Sequence, residues 1–172
     1  MWKSVSGLAG IEFGFIAPVL ALMLLGTIDI CNVMACREKV ISLASSVSDL
    51  IAMTTSVSST DISNAYNSGN AIMYPFADTS TGIVISSITY SATTHLDTVA
   101  WSRAQNGTPL VTGSTVVVPT GVIAATDGAS AILVSVNYNY TPPFAGFMGN
   151  IPMAFSFYSR PRESLSVACN GC

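Results

Sequence analysis

Ionised side chains are scarce in this chain. Asp, Glu, Lys and Arg make up 9% of it, against about 25% in an ordinary soluble domain. Half of the residues are hydrophobic, so part of the chain is expected to lie out of water and the rest to be coated by Ser, Thr and Asn. The six basic residues are scattered and the net charge is −3, which leaves no electrostatic footprint for nucleic acid. Histidine is rarer still. A Ser–His–acid triad would have to use His95, the single histidine, which lies beside Asp97 in a polar stretch and reads as a solvated strand end. There is no Gly-x-Ser-x-Gly elbow, phosphate loop, His-Glu-x-x-His or Gly-x-Gly-x-x-Gly, and the acids are spread singly. These absences predict a non-enzyme with no cofactor and no metal site.

Length bounds the rest: 172 residues hold one ordinary domain and an appended helix. That helix opens the chain. Lys3, Gly7 and Glu12 precede an uncharged apolar run from Phe13 to Ile28 that closes at Asp29. The run is about 24 Å long as a helix. It reaches the ~20 residues of a membrane span when Leu8–Ile11 and Ile30 are included, with Glu12 and Asp29 near the two interfaces. A secretory signal would end in a small-x-small cleavage site and a polar mature start. Ala17, Ala21 and Gly26 offer no such start, because the apolar run continues into a patterned helix.

Glu12 is the informative residue. An ionised carboxylate at the edge of a span is costly unless something neutralises it. Cleavage after Gly7 would leave Leu8 as a new amino terminus with Glu12 at the fifth position, the layout of a type IV prepilin. The carboxylate would then pair with the amine of Leu8 on an adjoining subunit, and burial would become tolerable only in the correct register. Its bland alternative is an interfacial acid resting among headgroups. Asp29 marks the far boundary or has a pairing role of its own. Pro18 cannot donate to the carbonyl of Gly14, so it reads either as a kink tolerated in lipid or as a stretch that unwinds when subunits pack. Lys3 lies on one side of the span and Arg37 and Lys39 on the other, so the positive-inside rule does not decide orientation.

Beyond Asp29 the pattern is amphipathic. Val40, Leu43/Ala44, Val47 and Leu50/Ile51 recur at three- and four-residue steps, with Lys39, Ser42, Ser46 and Asp49 turned away. One rod is expected to about residue 57, ended by the Ser/Thr cluster from Thr54 to Ser63. From Gly82 the period becomes two. Ile132, Val134, Val136, Tyr138 and Tyr140 alternate with Leu133, Ser135, Asn137 and Asn139 in the clearest strand. Ile83 and Ile85 fall in one phase and Ile88, Tyr90 and Ala92 in the other, which predicts a bulge or two short strands. Val99, Trp101 and Arg103 form a strand ended by Asn106-Gly107. Val116–Val118 reads as strand or edge, and Met153, Phe155 and Phe157 begin a last strand that resumes at Leu165 and Val167. Tyr138, Tyr140, Phe155 and Phe157 are expected mostly in the core. The fold class is α+β: a long N-terminal helix, transmembrane then amphipathic, packed on an antiparallel β-sheet. The domain reading is 1–7 leader, 8–30 hydrophobic assembly helix, 31–60 amphipathic continuation and 61–172 β domain.

The cysteines come in two pairs. Cys31 and Cys36 are five residues apart on a helix, about 140° around its axis, and are not expected to bridge each other. Cys169 and Cys172 have the C-x-x-C spacing of a disulfide, a redox pair or half a zinc site. The second pair of ligands that zinc needs is missing, and an oxidising compartment would favour a structural disulfide. Four cysteines allow three full pairings.

The stretch from Gly7 to Asp29, with Glu12-Phe13, Pro18 inside the apolar run and Gly26 before Ile28-Asp29, resembles the N-terminal region of TadE/TadG-like proteins. These are minor pilins or pseudopilins of the Flp (tight adherence) type IVb pilus system in bacteria. Val47-Ser48-Asp49-Leu50-Ile51 and Arg160-Pro161-Arg162 with Cys169 are similar to segments of that family. The resemblance implies cleavage at Gly7–Leu8 by prepilin peptidase and a bacterial inner-membrane subunit with a periplasmic C-terminal domain, or one carried outward in a pilus. It implies a role in priming or capping a pilus used in adhesion. Its partners would be other pilins and minor pilins, the inner-membrane assembly platform and membrane lipid. The chain is too short for the metal-binding adhesion domain of the larger relatives, so a TadE- or TadF-like size class fits. The alternatives are a secretion-system pseudopilin that stays in the envelope, and a signal-anchored periplasmic binding domain.

Overall fold

A computed structural model of the chain describes residues 6–76, 81–143 and 149–171, without the side chains of residues 6–9. Helix α1 (Ser6–Ala52) is 47 residues long, about 70 Å from end to end. It is followed by strand β1 (Ser56–Ser58), helix α2 (Ser59–Met73) and strands β2 (Gly82–Ser91), β3 (Leu96–Gln105), β4 (Ser130–Tyr140), β5 (Ile151–Ser159) and β6 (Ala168–Asn170). Strands β2 to β5 form one antiparallel sheet in the order β3-β2-β4-β5. The fold is α+β, a long apolar helix packed on a four-stranded antiparallel sheet.

The alternation of β4 sets the core. Ile132, Val134, Val136, Tyr138 and Tyr140 are buried beneath the C-terminal half of α1, whose Cys36, Val40, Leu43, Val47 and Ile51 form the facing stripe. Each such side chain, fully buried, contributes about 1.5–3 kcal/mol. Ser48 lies within that face and donates to the carbonyl of Ile132 at 3.3 Å. Leu50, placed on the stripe by spacing, points outward instead, because a stripe stepping from Val47 to Ile51 leaves Leu50 about 100° away. Tyr138 and Tyr140 are core residues, Phe155 is half-buried, and Phe157, on the edge strand β5, is 39% exposed.

Three expectations need correction. α1 stops at Ala52, short of residue 57, and the Ser/Thr cluster builds β1 and a second helix. Ser58 is the N-cap of α2: its hydroxyl accepts from the Asp61 amide while the Asp61 carboxylate accepts from the Ser58 amide at 2.9 Å. This reciprocal capping box holds the Asp61 carboxyl below its ordinary pKa, through the Ser58 backbone bond first. Second, Val116–Val118 forms no strand. The connection from Asn106 to Ala129 instead lies along the edge of β3, with Val99 and Asp97 bonded to Ser114 and Val116. Third, the last strand does not resume at Leu165: residues 168–170 pair in parallel with β1, Val57 opposite Cys169. The expected bulge is present, as a register shift between Ser87 and Ile88.

α2 packs where α1 meets the sheet. A side chain at Gly69 would meet Val47 and Ile83 at 3.2 Å and Leu43 at 3.3 Å, so the missing Cβ is what lets the helices approach. The C-terminal segment then closes over the end of α1. The Arg162 amide donates to the Ala52 carbonyl at 2.9 Å, satisfying an acceptor that a helix end leaves open, and the Ala168 amide donates to Thr55, just beyond the helix, at 3.2 Å. Trp101 Nε1 donates to Val167 at 2.8 Å. Asp49 accepts from Ser159 at 2.6 Å and pairs with Arg162 at 3.4 Å.

Asp49→Ala removes both of these contacts and strands the buried Ser159 hydroxyl, so it is expected to cost about 1–2 kcal/mol. Arg162→Ala, which removes only a solvent-screened pair, is expected to cost under about 1 kcal/mol. Denaturant unfolding of the two variants checks the difference.

Candidate functional site

The N-terminal half of α1 does not pack on the domain. Phe13, Phe15, Ile16, Val19, Leu20, Met23 and Leu24 are each more than half exposed, Phe15 at 78%; they cover about half of the circumference, and Ala17, Pro18, Ala21 and Leu25 cover the rest. Water does not tolerate a helix that is apolar all round; lipid or other helices do. The helix is long and apolar enough to cross a membrane. Side chains built at Gly10, Gly14 or Gly26 would meet nothing, so these glycines leave flat surface along the rod. α1 runs through Pro18 without a break.

The predicted site residues fall in different surroundings. Gly7 and Leu8 lie in the first turns of α1, with the Leu8 side chain outside the described residues. Glu12 is exposed, on the same bare surface as Phe13. Among the described residues the ion pair is that of Asp49 with Arg162, and Glu12 has no charge partner among them. Asp29 is different: it is 1% exposed, and its Oδ1 is buried with no hydrogen-bond partner. Cys31 is an exposed free thiol and Cys36 a buried one. Cys169 is disulfide-bonded, and Cys172 lies outside the described residues.

Asp29 is buried because it belongs to the core stripe. Counting back from Val40 in three- and four-residue steps gives Cys36, Val33 and Asp29, so the carboxylate faces the domain and not the bilayer. Opposite it the last residues of β4 meet the loop after α2. Phe76 and Tyr140 stack edge to face at 5.8 Å. A cavity of about 370 Å³ opens there, lined by Asn32, Phe76, Tyr138, Asn139, Tyr140 and Thr141 among others. Burial first, then the neighbouring acidic groups Cys36, Asp29 and Tyr138, raises the Tyr140 hydroxyl above its usual pKa. Arg37, the nearest cation in sequence, lies instead over the Phe155 ring at 5.5 Å. The spacing that finds the stripe could have found Asp29 too, since continuing it N-terminally from Val40 by three steps reaches the acid. The cavity had no such signal, because α2 and its following loop bring Phe76 to Tyr140 across more than sixty residues of sequence.

Burial pushes the Cys36 thiol up to about 11, so it is protonated at neutral pH and doubly protected from alkylation. In detergent at pH 8, a maleimide is expected to label one thiol per folded chain, at Cys31, and Cys36 only after unfolding. Peptide mapping of the labelled protein checks this, and rapid labelling of Cys36 would contradict the packing of α1 on the sheet. Comparison with known proteins finds no matching family model, no matching curated protein and no matching solved structure.

Proposed function

We propose that the protein is a membrane-anchored structural subunit of pilin type, processed after Gly7 and assembled through the bare half of α1. The observation that carries this reading is the division of one continuous helix. Its C-terminal half is consumed by its own domain, while the half from Glu12 to Leu24 is apolar on every side and unclaimed. A helix made only to anchor a domain needs no acid among its lipid-facing residues. Glu12 supplies one, without a charge partner among the described residues, at the fifth position after the small residue Gly7. The free amine of a neighbouring Leu8 would neutralise it, and an ammonium–carboxylate pair tolerates a low dielectric that neither ion tolerates alone.

In this reading the protein acts as a minor pilin or pseudopilin that primes or caps a Flp-type pilus, not as an enzyme. Prepilin peptidase, other pilins and the assembly platform are its partners, and the sheet domain lies in the periplasm or on the filament.

The test is the intact mass and N-terminal sequence of the protein from its native membrane, with and without the prepilin peptidase. The expected product begins at Leu8, disappears in peptidase-null cells and is blocked by Gly7→Leu. An unprocessed chain would contradict the proposal and leave a plain anchor. Glu12→Ala is expected to be cleaved normally, yet to lower the assembled protein recovered in sheared fractions by about tenfold or more, since an unpaired buried ammonium remains.

A further inference from the structure

Asp29 is the one buried acidic residue among the described residues, and its Oδ1 is buried without a hydrogen-bond partner. Asp97 also has a buried, unpartnered oxygen, but its residue is partly exposed. Deep burial of an unpaired carboxylate oxygen is unfavourable, and among the described residues no cation pairs with Asp29. Arg37 is spent on Phe155 and Arg162 on Asp49. Directly beyond the acid on the same helix face, one turn on, Asn32 begins the cavity wall. The rest of that wall is aromatic or neutral and polar: Phe76, Tyr138 and Tyr140 with Asn139 and Thr141. Aromatic faces attract cations through their quadrupole. Amide and hydroxyl oxygens accept hydrogen bonds from an ammonium. A negative charge set behind such a wall, in a medium of low dielectric, acts at distances where water would screen it. The constellation of three aromatic rings, neutral acceptors and one uncompensated carboxylate selects a small cation that carries N–H donors.

Position along the chain says where that cation comes from. Asp29 directly follows the apolar run Phe13–Ile28, so in a membrane of ordinary thickness it stands at the level of the headgroups. We propose that this cavity receives the ammonium group of an aminophospholipid headgroup, with Asp29 supplying the countercharge and Phe76, Tyr138 and Tyr140 the aromatic walls. The site rests on the membrane-anchor part of the function proposed above and is independent of processing at Gly7. It would fix the depth and rotation of α1 in the bilayer, since the carboxylate is compensated only when the cavity mouth meets the headgroup layer.

The test uses the full chain in nanodiscs of phosphatidylglycerol containing a minor fraction of phosphatidylethanolamine, with the lipid retained on the detergent-released protein counted by native mass spectrometry. Wild type is expected to retain about one phosphatidylethanolamine per chain, enriched several-fold over the bulk mixture. Asp29→Asn, which keeps the side-chain shape and removes the charge, is expected to fold, as judged by circular dichroism and thermal unfolding, and to lose the enrichment. Asn32→Ala, at the mouth of the cavity, is expected to weaken it. Incorporated wild type without enrichment, or enrichment undiminished in Asp29→Asn, would overturn the site and leave the anchor reading standing. Protein that fails to incorporate would overturn the anchor and the site together. In a second arm, ethanolamine is titrated into detergent-solubilised protein. Binding there without lipid enrichment would overturn the lipid as the source and point to a soluble amine.

Discussion

The contact between the C-terminal half of α1 and one face of β4 is the constraint from which the rest of the structure follows. Cys36, Val40, Leu43, Val47 and Ile51 on the helix meet Ile132, Val134, Val136, Tyr138 and Tyr140 on the strand. A straight helix cannot change its hydrophobic face abruptly, so this seam fixes the rotation of the whole 47-residue rod. It decides that Asp29 turns toward the domain and that Leu50 turns away. It also leaves the first half of the helix projecting past the sheet with no protein of its own to cover it. The two halves therefore require different solvents.

The end of the chain reinforces that seam. Segment 160–170 returns to the last turn of α1, bonds Ala52 and Thr55, pairs β6 with β1 and accepts the Trp101 indole. Asp49 adds a side-chain tie to Ser159 and Arg162. An acid near a helix C-terminus is ordinarily unfavourable, and here Arg162 offsets it. The helix is thus gripped along one face and at its end, which lets a rod whose other half lies outside the fold keep a defined direction. Such a grip transmits the placement of the bare half of the helix to the sheet domain.

Much of this was legible in sequence because two periodicities dominate it. Steps of three and four from Val40 to Ile51 gave the helix face, and strict alternation from Ile132 to Tyr140 gave the central strand. The phase slip after Ile85 announced the bulge. The second helix escaped because its residues, Ser59–Met73, are mostly small and polar. Helix α2 buries Ile62, Ala65, Tyr66, Gly69 and Met73 at three- and four-residue steps, but two of the five are Ala and Gly, so the stripe is faint in sequence beside the capping box Ser58-x-x-Asp61. The pairing of β6 with β1 depends on contacts between the two ends of the domain, which no local pattern encodes. In the candidate site, Glu12 and the apolar run were plain, whereas the burial of Asp29 against Tyr140 and Phe76 required the fold. The function itself rests on Gly7, Glu12 and the uncovered helix.

The most direct measurement of the central claim is a spin-label scan along residues 13–40 of the full chain in nanodiscs, recording accessibility to oxygen and to a water-soluble nickel chelate. Oxygen accessibility is predicted to be high at every position from 13 to 24. From there a helical period is predicted to set in, with protected positions at 29, 33, 36 and 40. A protected stripe already present between 13 and 24, or lipid exposure at position 29, would contradict the account of one rod divided between membrane and core.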